Sequence, residues 1–513
     1  MTALHILLPF LFAVGTAVWL HRRDAVAMAG HPLDPYIDGL PALMTAFGFW
    51  LLLAGTGRPL FSGLCMAGAA GLLFVLNRLK QRHFHEPIVF LDFALVNQVL
   101  RYSRFYVPYL FPKPVLAGGV VVGLGLAGIW REETPVACGW QCGSLGLAVG
   151  SAAGVWYWLK GLLATTGRPR ALALLTRLAP SLNAKADFAR LGLFASMLGH
   201  GLWHVHVRGS EGQPGIRPSG PDRPASPPLH LREPAPHIVL VQAESFCDIR
   251  RHLPEVDAGV LDGFDRLRKS SLSGRFLVTT YGAYTMRTEF SVLTGLGAQE
   301  LGTDAFHPYF TAARQPVVSL AWTLRSAGYR SLCLHPFSCQ FFRRNQVIPH
   351  LGFEAFETLP RFAGLARSGP YVSDAVLGQR ILDRLAASDQ PTLAFAITIE
   401  AHGPWTPDRF RDDPAGGPAG RDPLSVYLWH LGHMDALFSH LAEGLSQLGR
   451  PAILCGYGDH VPGLPGVGRP ELSQPTATDW FLWDSRQPVT AAPRDLRPED
   501  LSTVLTQTIT SAG

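Results

Sequence analysis

Five stretches in the first third of the chain, residues 3–20, 40–57, 59–77, 114–130 and 143–163, are each apolar and long enough to cross the roughly 30 Å hydrocarbon core of a bilayer as one helix. A chain with this pattern and only 16% charged residues is partly built into a membrane. The first stretch lacks the basic start of a cleaved leader and more spans follow it, so it is read as a true span. The fifth carries Gly146, Gly150 and Gly154 at four-residue spacing. That is either a face for close helix contact or a by-product of a Gly-rich sequence.

Orientation follows from the basic residues. Arg22 and Arg23 come after the first span, Arg78, Lys80, Arg82, Arg101 and Arg104 after the third, and Arg168, Arg170, Arg177 and Lys185 after the fifth. The other two connections hold only Arg58 and Arg131. The positive-inside rule leaves the chain in the cytoplasm after five spans. A sixth span at 188–207, with Trp203 at the interface, carries it back out; the other reading is an amphipathic helix lying on the membrane. The span is preferred because the charge rule and the chemistry below then agree. The expected organisation is a membrane domain over 1–207, a Pro/Gly-rich linker over 208–236, a catalytic domain over 237–487 and a polar tail over 488–513. From His237 onward, short apolar runs alternate with helical patterns, the α/β signature.

Composition excludes other classes. The net charge of +5 is mild and no basic run is interleaved with aromatics, so nucleic acid is not an expected partner. The seven Cys residues form no paired zinc pattern, and Cys138 and Cys142 read as unrelated thiols. The spans hold no Asp or Glu, which argues against ion-coupled transport.

Four short apolar runs end in polar groups: 238–241 leads to Glu244, 329–334 to His335, 393–399 to Glu400 and His402, and 452–454 to Asp459 and His460. In open α/β sheets ligands bind beyond the carboxyl ends of the strands, so these ends can converge on one crevice. Glu244, Asp459 and His460 offer two hard oxygens and an imidazole, a set suited to a divalent cation. Thr285, in a small-residue turn ahead of a run from Phe290 that reads as the start of a helix, would be a fourth ligand, and the cation would lower the pKa of its hydroxyl enough to make it a nucleophile. Spacing alone leaves plainer alternatives open: a turn capped by Asp459, an exposed Glu244, a helix N-cap at Thr285 with Thr288 or Glu289 completing a capping box. His430 and His433, at i, i+3 with Asp435 nearby, could make a second metal site, but a helix flanking the sheet explains them with less.

Three ordered motifs carry a resemblance: Glu244-Ser245-Phe246, then Thr285 with Glu289 and Phe290, then Gly458-Asp459-His460. Together they resemble lipoteichoic acid synthase and related phosphoglycerol transferases, in the sulfatase-like branch of the alkaline phosphatase superfamily. The similarity covers about 237–465 by motif and the membrane block by layout. It implies an N-terminal polytopic α-helical membrane domain joined to an extracytoplasmic α/β domain with a central mixed sheet flanked by helices. It also implies Thr285 as nucleophile and as metal ligand with Glu244, Asp459 and His460, around one ion, Mn²⁺ first with Mg²⁺ or Zn²⁺ as alternatives. His335, Phe342, Arg344 and His402 match the family's substrate-side order, with Arg344 holding a phosphate oxygen and the two histidines donating to phosphoryl or glycerol oxygens. Phe342 stands where Trp is usual, and Met286-Arg287 where small or polar residues are common, which touches head-group and acceptor choice. The expected reaction takes glycerophosphate from phosphatidylglycerol to a surface glycan or lipid-linked polymer. The alternatives are phosphoethanolamine transfer, phosphodiester hydrolysis, or a non-catalytic envelope-assembly factor. A sulfatase is disfavoured, since Thr285-Met-Arg cannot supply the Cys/Ser precursor motif.

Overall fold

The computed structural model describes residues 2–29, 39–103, 105, 113–164, 178–207, 214–216, 229–410, 416–420, 422–486, 488 and 492–510. Arg104, Arg168, Arg170, Arg177 and most of the expected linker lie outside the described residues. The chain divides into two units, Met1–Ser210 and Glu211–Gly513.

In the first unit each of the five apolar stretches forms a helix: Thr2–Ala29, Leu40–Thr56, Pro59–Phe84, Lys113–Glu132 and Cys138–Ala164. Among the described residues three helical segments, Ala3–Asp24, Pro59–Phe84 and Lys113–Glu132, are long and apolar enough to cross a membrane. Their surfaces are apolar too. Of the large hydrophobic residues left exposed among the described residues, all but Val318 and Leu365 lie in this unit, a distribution that water does not tolerate and lipid does. Glu133 caps the start of helix Pro59–Phe84, accepting from the backbone N–H groups of Leu60 and Phe61 at 2.7 and 2.8 Å, so a negative charge meets the positive end of the helix dipole. Gly146 and Gly150 have open space where a Cβ would sit, so they serve no close contact between the described helices. Gly63 does, since a Cβ there would strike the backbone of Pro9. The expected sixth span is a helix, Ala184–Leu202, broken by non-helical backbone at Gly192. It carries a buried pair, Asp187 with His200 Nε2 at 2.9 Å.

The second unit is built on a seven-stranded sheet. Its strands, with one two-residue pair beside it, are β1 (His237–Ala243), β2 (Leu272–Phe276), β3 (Arg330–His335), β4 (Ala355–Thr358), β5 (Arg367–Ser368), β6 (Tyr371–Val372), β7 (Thr392–Ile397), β8 (Ala452–Gly458) and β9 (Thr478–Asp484). The order is β2-β9-β8-β1-β7-β3-β4. Strands β8, β1, β7, β3 and β4 run parallel, while β9 pairs antiparallel with both β8 and β2, so the sheet is mixed. The central strands β1, β7 and β8 are buried along their whole length, which is why each reads as an unbroken apolar run. On one face Val239, Val241, Ala394, Ala396 and Leu454 join helices Asp374–Ala386 and Pro423–Ser446 in a single core. On the other, Gln242 reaches helix Thr285–Thr294 through Glu289. The stretch expected as a polar tail belongs to this unit: helix Leu501–Ile509 buries Leu501, Leu505 and Ile509, and Leu496 bridges to Phe276. Its polar residues occupy only the outer face of an amphipathic helix, which composition alone does not reveal.

Candidate active site

The site gathers at the carboxyl ends of β1, β8, β7 and β3. Glu244 and Ser245 follow β1, and Asp459 and His460 follow β8. Gly458 is required there, because a Cβ would run into the backbone carbonyl of Phe246. That close approach lets Asp459 Oδ1 accept the Ser245 N–H at 2.8 Å and the His460 N–H at 2.9 Å. The turn after β1 needs left-handed backbone at Ser245, φ +56°. Its hydroxyl donates to Glu244 Oε1 at 2.9 Å, and the Glu244 N–H donates to Thr398 Oγ1 at 2.9 Å. Sequence reasoning missed Thr398; its place one residue past a buried strand was the available signal.

Tyr284, at φ +67°, turns the chain into helix Thr285–Thr294 without a side-chain cap. Thr285 is the first helical residue, not the N-cap, and its buried side chain lies beside Asp459. Three residues on, Thr288 Oγ1 donates to the Asp459 carbonyl at 2.8 Å.

One nitrogen decides what the acidic cluster is for. His460 Nδ1–H donates to the Val461 carbonyl at 3.1 Å, since a carbonyl can only accept. In the neutral ring, Nε2 then presents a lone pair, and it faces Glu244 Oε1 at 3.4 Å and Asp459 Oδ2 at 3.5 Å. Asp459 Oδ2 is buried and accepts no hydrogen bond among the described residues. The donor atoms of Glu244, Asp459 and His460 lie within 4.8 Å of one another. Three electron-rich atoms converging in a buried place fit a divalent cation. Without one, burial raises the Glu244 carboxyl, burial and Glu244 push Asp459 up to about 6, and although burial opposes it, the two carboxylates raise His460.

The substrate-side residues converge on the same place. His402, partly buried, is close enough to feel the charges of His460 and Asp459, and His335 those of Arg344 and His402. Phe342, at φ +53°, packs on Phe341 with ring centroids 4.2 Å apart and lies 5.5 Å from the Arg344 guanidinium. Two expectations change. Arg344 is wholly buried, and its bidentate partner is Glu289, with Nη2 to Oε2 at 2.6 Å and Nε to Oε1 at 3.2 Å. A guanidinium out of water needs a counter-charge inside the protein, and Gln242 and Tyr309 complete that carboxylate's shell. Only Nη1, 3.4 Å from His335 Nε2, is left toward the crevice. Second, His335 and His402 spend Nδ1–H on the carbonyls of Ile397 at 3.0 Å and Gly403 at 2.7 Å. Burial pushes His335 well below the usual imidazole range and His402 down to about 4. Both rings are therefore neutral near pH 7, with Nδ1–H turned to backbone carbonyls and Nε2 the acceptor nitrogen, the reverse of the donor role expected.

His430 and His433 do not meet Asp435, whose carboxylate accepts the N–H groups of Gly263 and Phe264 at 2.8 and 2.6 Å. Their partner is Glu400.

With its mixed, parallel-centred α/β sheet, the chain has the fold of the alkaline phosphatase superfamily. Residues 236–508 match the sulfatase family model, and the chain belongs to that family. It is 33% identical over 455 residues to the capsular polysaccharide biosynthesis protein RkpI of Rhizobium meliloti, covering 86% of this chain and 80% of that one. A putative cyclic beta-1,2-glucan modification protein of the same organism is 24% identical over 483 residues, 90% of this chain and 72% of the relative. The fold matches the integral membrane lipooligosaccharide phosphoethanolamine transferase A of Neisseria meningitidis over 99% of this chain and 95% of that one, with a TM-score of 0.52 and 13% identity.

Proposed function

We propose that the protein is a membrane-bound phosphoglycerol transferase, moving glycerophosphate from phosphatidylglycerol to a hydroxyl of a surface glycan or lipid-linked polymer, with its catalytic unit outside the cytoplasm. The observation that supports this most is the Thr285 hydroxyl at a helix start, beside Asp459 and the lone pairs of Glu244 and His460. A divalent cation held by Glu244, Asp459 and His460, Mn²⁺ first with Mg²⁺ or Zn²⁺ as alternatives, supplies the positive charge that lowers the hydroxyl's pKa.

Thr285 Oγ forms a bond to phosphorus while the bond from phosphorus to the diacylglycerol oxygen breaks. The proton released by Thr285 balances the one that diacylglycerol takes up. An acceptor hydroxyl then attacks the glycerophosphoryl-threonine, the Oγ–P bond breaks and Thr285 regains a proton. Arg344 Nη1 donates to a phosphoryl oxygen while Glu289 fixes the rest of the guanidinium. The neutral Nε2 atom of His402 accepts from a glycerol or acceptor hydroxyl, that of His335 holds Arg344 Nη1 in place, and Phe342 forms an apolar wall. Transfer to a glycan fits the roles carried in the names of the two Rhizobium relatives, and the apolar helices suit a donor that stays in the bilayer.

The test is intact mass of the full chain in detergent after exposure to phosphatidylglycerol. The expected result is a glycerophosphoryl adduct that disappears in Thr285→Ala. No adduct in the wild type, or an adduct that survives the substitution, overturns the assignment. An adduct formed only from phosphatidylethanolamine would move the reading to phosphoethanolamine transfer.

A further inference from the structure

Besides the Thr285 cluster, one other group of metal-ligating side chains gathers its donor atoms among the described residues: Glu400, His430 and His433, all within 4.8 Å of one another. Glu400 stands three residues past β7, and the histidines share one face of helix Pro423–Ser446. His430 Nδ1 lies 2.9 Å and His433 Nδ1 2.5 Å from the same oxygen, Glu400 Oε1. His430 Nε2 has no partner, so Nδ1 is the working nitrogen of that ring. Glu400 Oε2 accepts the backbone N–H of Asp374 at 2.7 Å. Asp374 supplies an independent sign of a missing charge: it is 1% exposed, and neither of its carboxylate oxygens accepts a hydrogen bond among the described residues. Two carboxylates and two imidazoles are thus packed side by side. Of the two, only Asp374 lacks donors, and holding such a carboxylate ionised out of water costs several kcal/mol, roughly, unless a cation lies beside it.

We propose that Glu400, His430 and His433 hold a second divalent cation, Zn²⁺ by the chemistry of two imidazoles and a carboxylate, with Asp374 adjoining as the balancing charge. The ion's part is to join elements of the fold. It ties the segment that carries His402 to helix Pro423–Ser446 and to the start of helix Asp374–Ala386. The proposal is independent of which lipid donates and which glycan accepts.

The experiment is metal stoichiometry on the full chain in detergent, stripped with chelator, reloaded with Zn²⁺ alone, desalted and measured by elemental mass spectrometry. Wild type should carry two ions per chain, and His433→Gln and Glu244→Gln one each, from different sites. Co²⁺ loaded into Glu244→Gln should show the visible absorption of a low-coordinate imidazole–carboxylate site, and that absorption should vanish on adding His433→Gln. A wild-type ion content that His433→Gln leaves unchanged, or no ion in a folded Glu244→Gln chain, overturns the proposal. The Glu244→Gln arm does not depend on whether His433→Gln folds.

Discussion

The two histidine–carboxylate clusters use the same residue types and differ in what surrounds them. At Glu244, Asp459 and His460 the imidazole has spent one N–H on the Val461 carbonyl, so in the neutral ring the remaining nitrogen offers a lone pair. An alcohol, Thr285, sits beside it. At Glu400, His430 and His433 both rings turn Nδ1 to one oxygen, and the flanking elements are a helix face and a helix start with no hydroxyl among the ligands. The lesson is that ligand type sets affinity for a cation, while position relative to a strand end and a nucleophile decides whether that cation does chemistry.

The largest effect expected from this contrast is at the first cluster. Thr285→Ala should lower transfer by about 10⁴-fold or more while metal content stays at the wild-type value, measured with head-group-labelled lipid. Equal activity in the variant would erase the distinction between the clusters. Glu289→Gln comes next. It leaves Arg344 buried without its bidentate partner, and chemical unfolding should show a loss of about 3–5 kcal/mol. A neutral result would mean that the pair is not what holds Arg344 toward the crevice.

At the second cluster, His433→Gln should cost no more than about tenfold in transfer, since it acts on His402 only through Glu400. It should remove the second site's share of the stabilisation by Zn²⁺, which amounts to about 2.7 kcal/mol at 100 times Kd. A loss as large as that of Thr285→Ala would make the second cluster catalytic.

The smallest effect lies outside both. His237 and His252 are buried, which pulls each down to about 4, and each accepts a backbone N–H through Nδ1, from Thr392 and Gly468. Their folded pKa is below the unfolded value, so the unfolded chain binds more protons between pH 4 and 6.5. Their contribution is complete above about pH 6.5 and is lost as pH falls toward 4. Thermal unfolding over that window should show falling stability, and His237→Asn with His252→Asn should flatten the slope.

Much of the architecture was legible in the chain itself. Unbroken apolar runs of span length mark the first unit, because lipid imposes a length that no loop or soluble helix shares. Runs such as 238–241 and 452–454 ending in Glu244 and Asp459 mark central parallel strands and the end at which a site forms. The helix at 501–509 was not legible, because its apolar residues are spaced by a helical period inside a polar composition. Neither was the partner of Arg344, since Glu289 lies 55 residues away and only the packing of helix Thr285–Thr294 against the sheet brings them together.

The sequence by itself determined where membrane ends and sheet begins, and which residue types stand at the strand ends, because those follow from hydrophobic period and local turn chemistry. Only the tertiary structure decided which nitrogen of each site histidine meets a backbone carbonyl, which carboxylate claims Arg344, and that His430 and His433 belong to Glu400 and not to Asp435. Those are choices among partners distant in the chain, settled by which carbonyl or carboxylate the folded backbone places within about 3 Å.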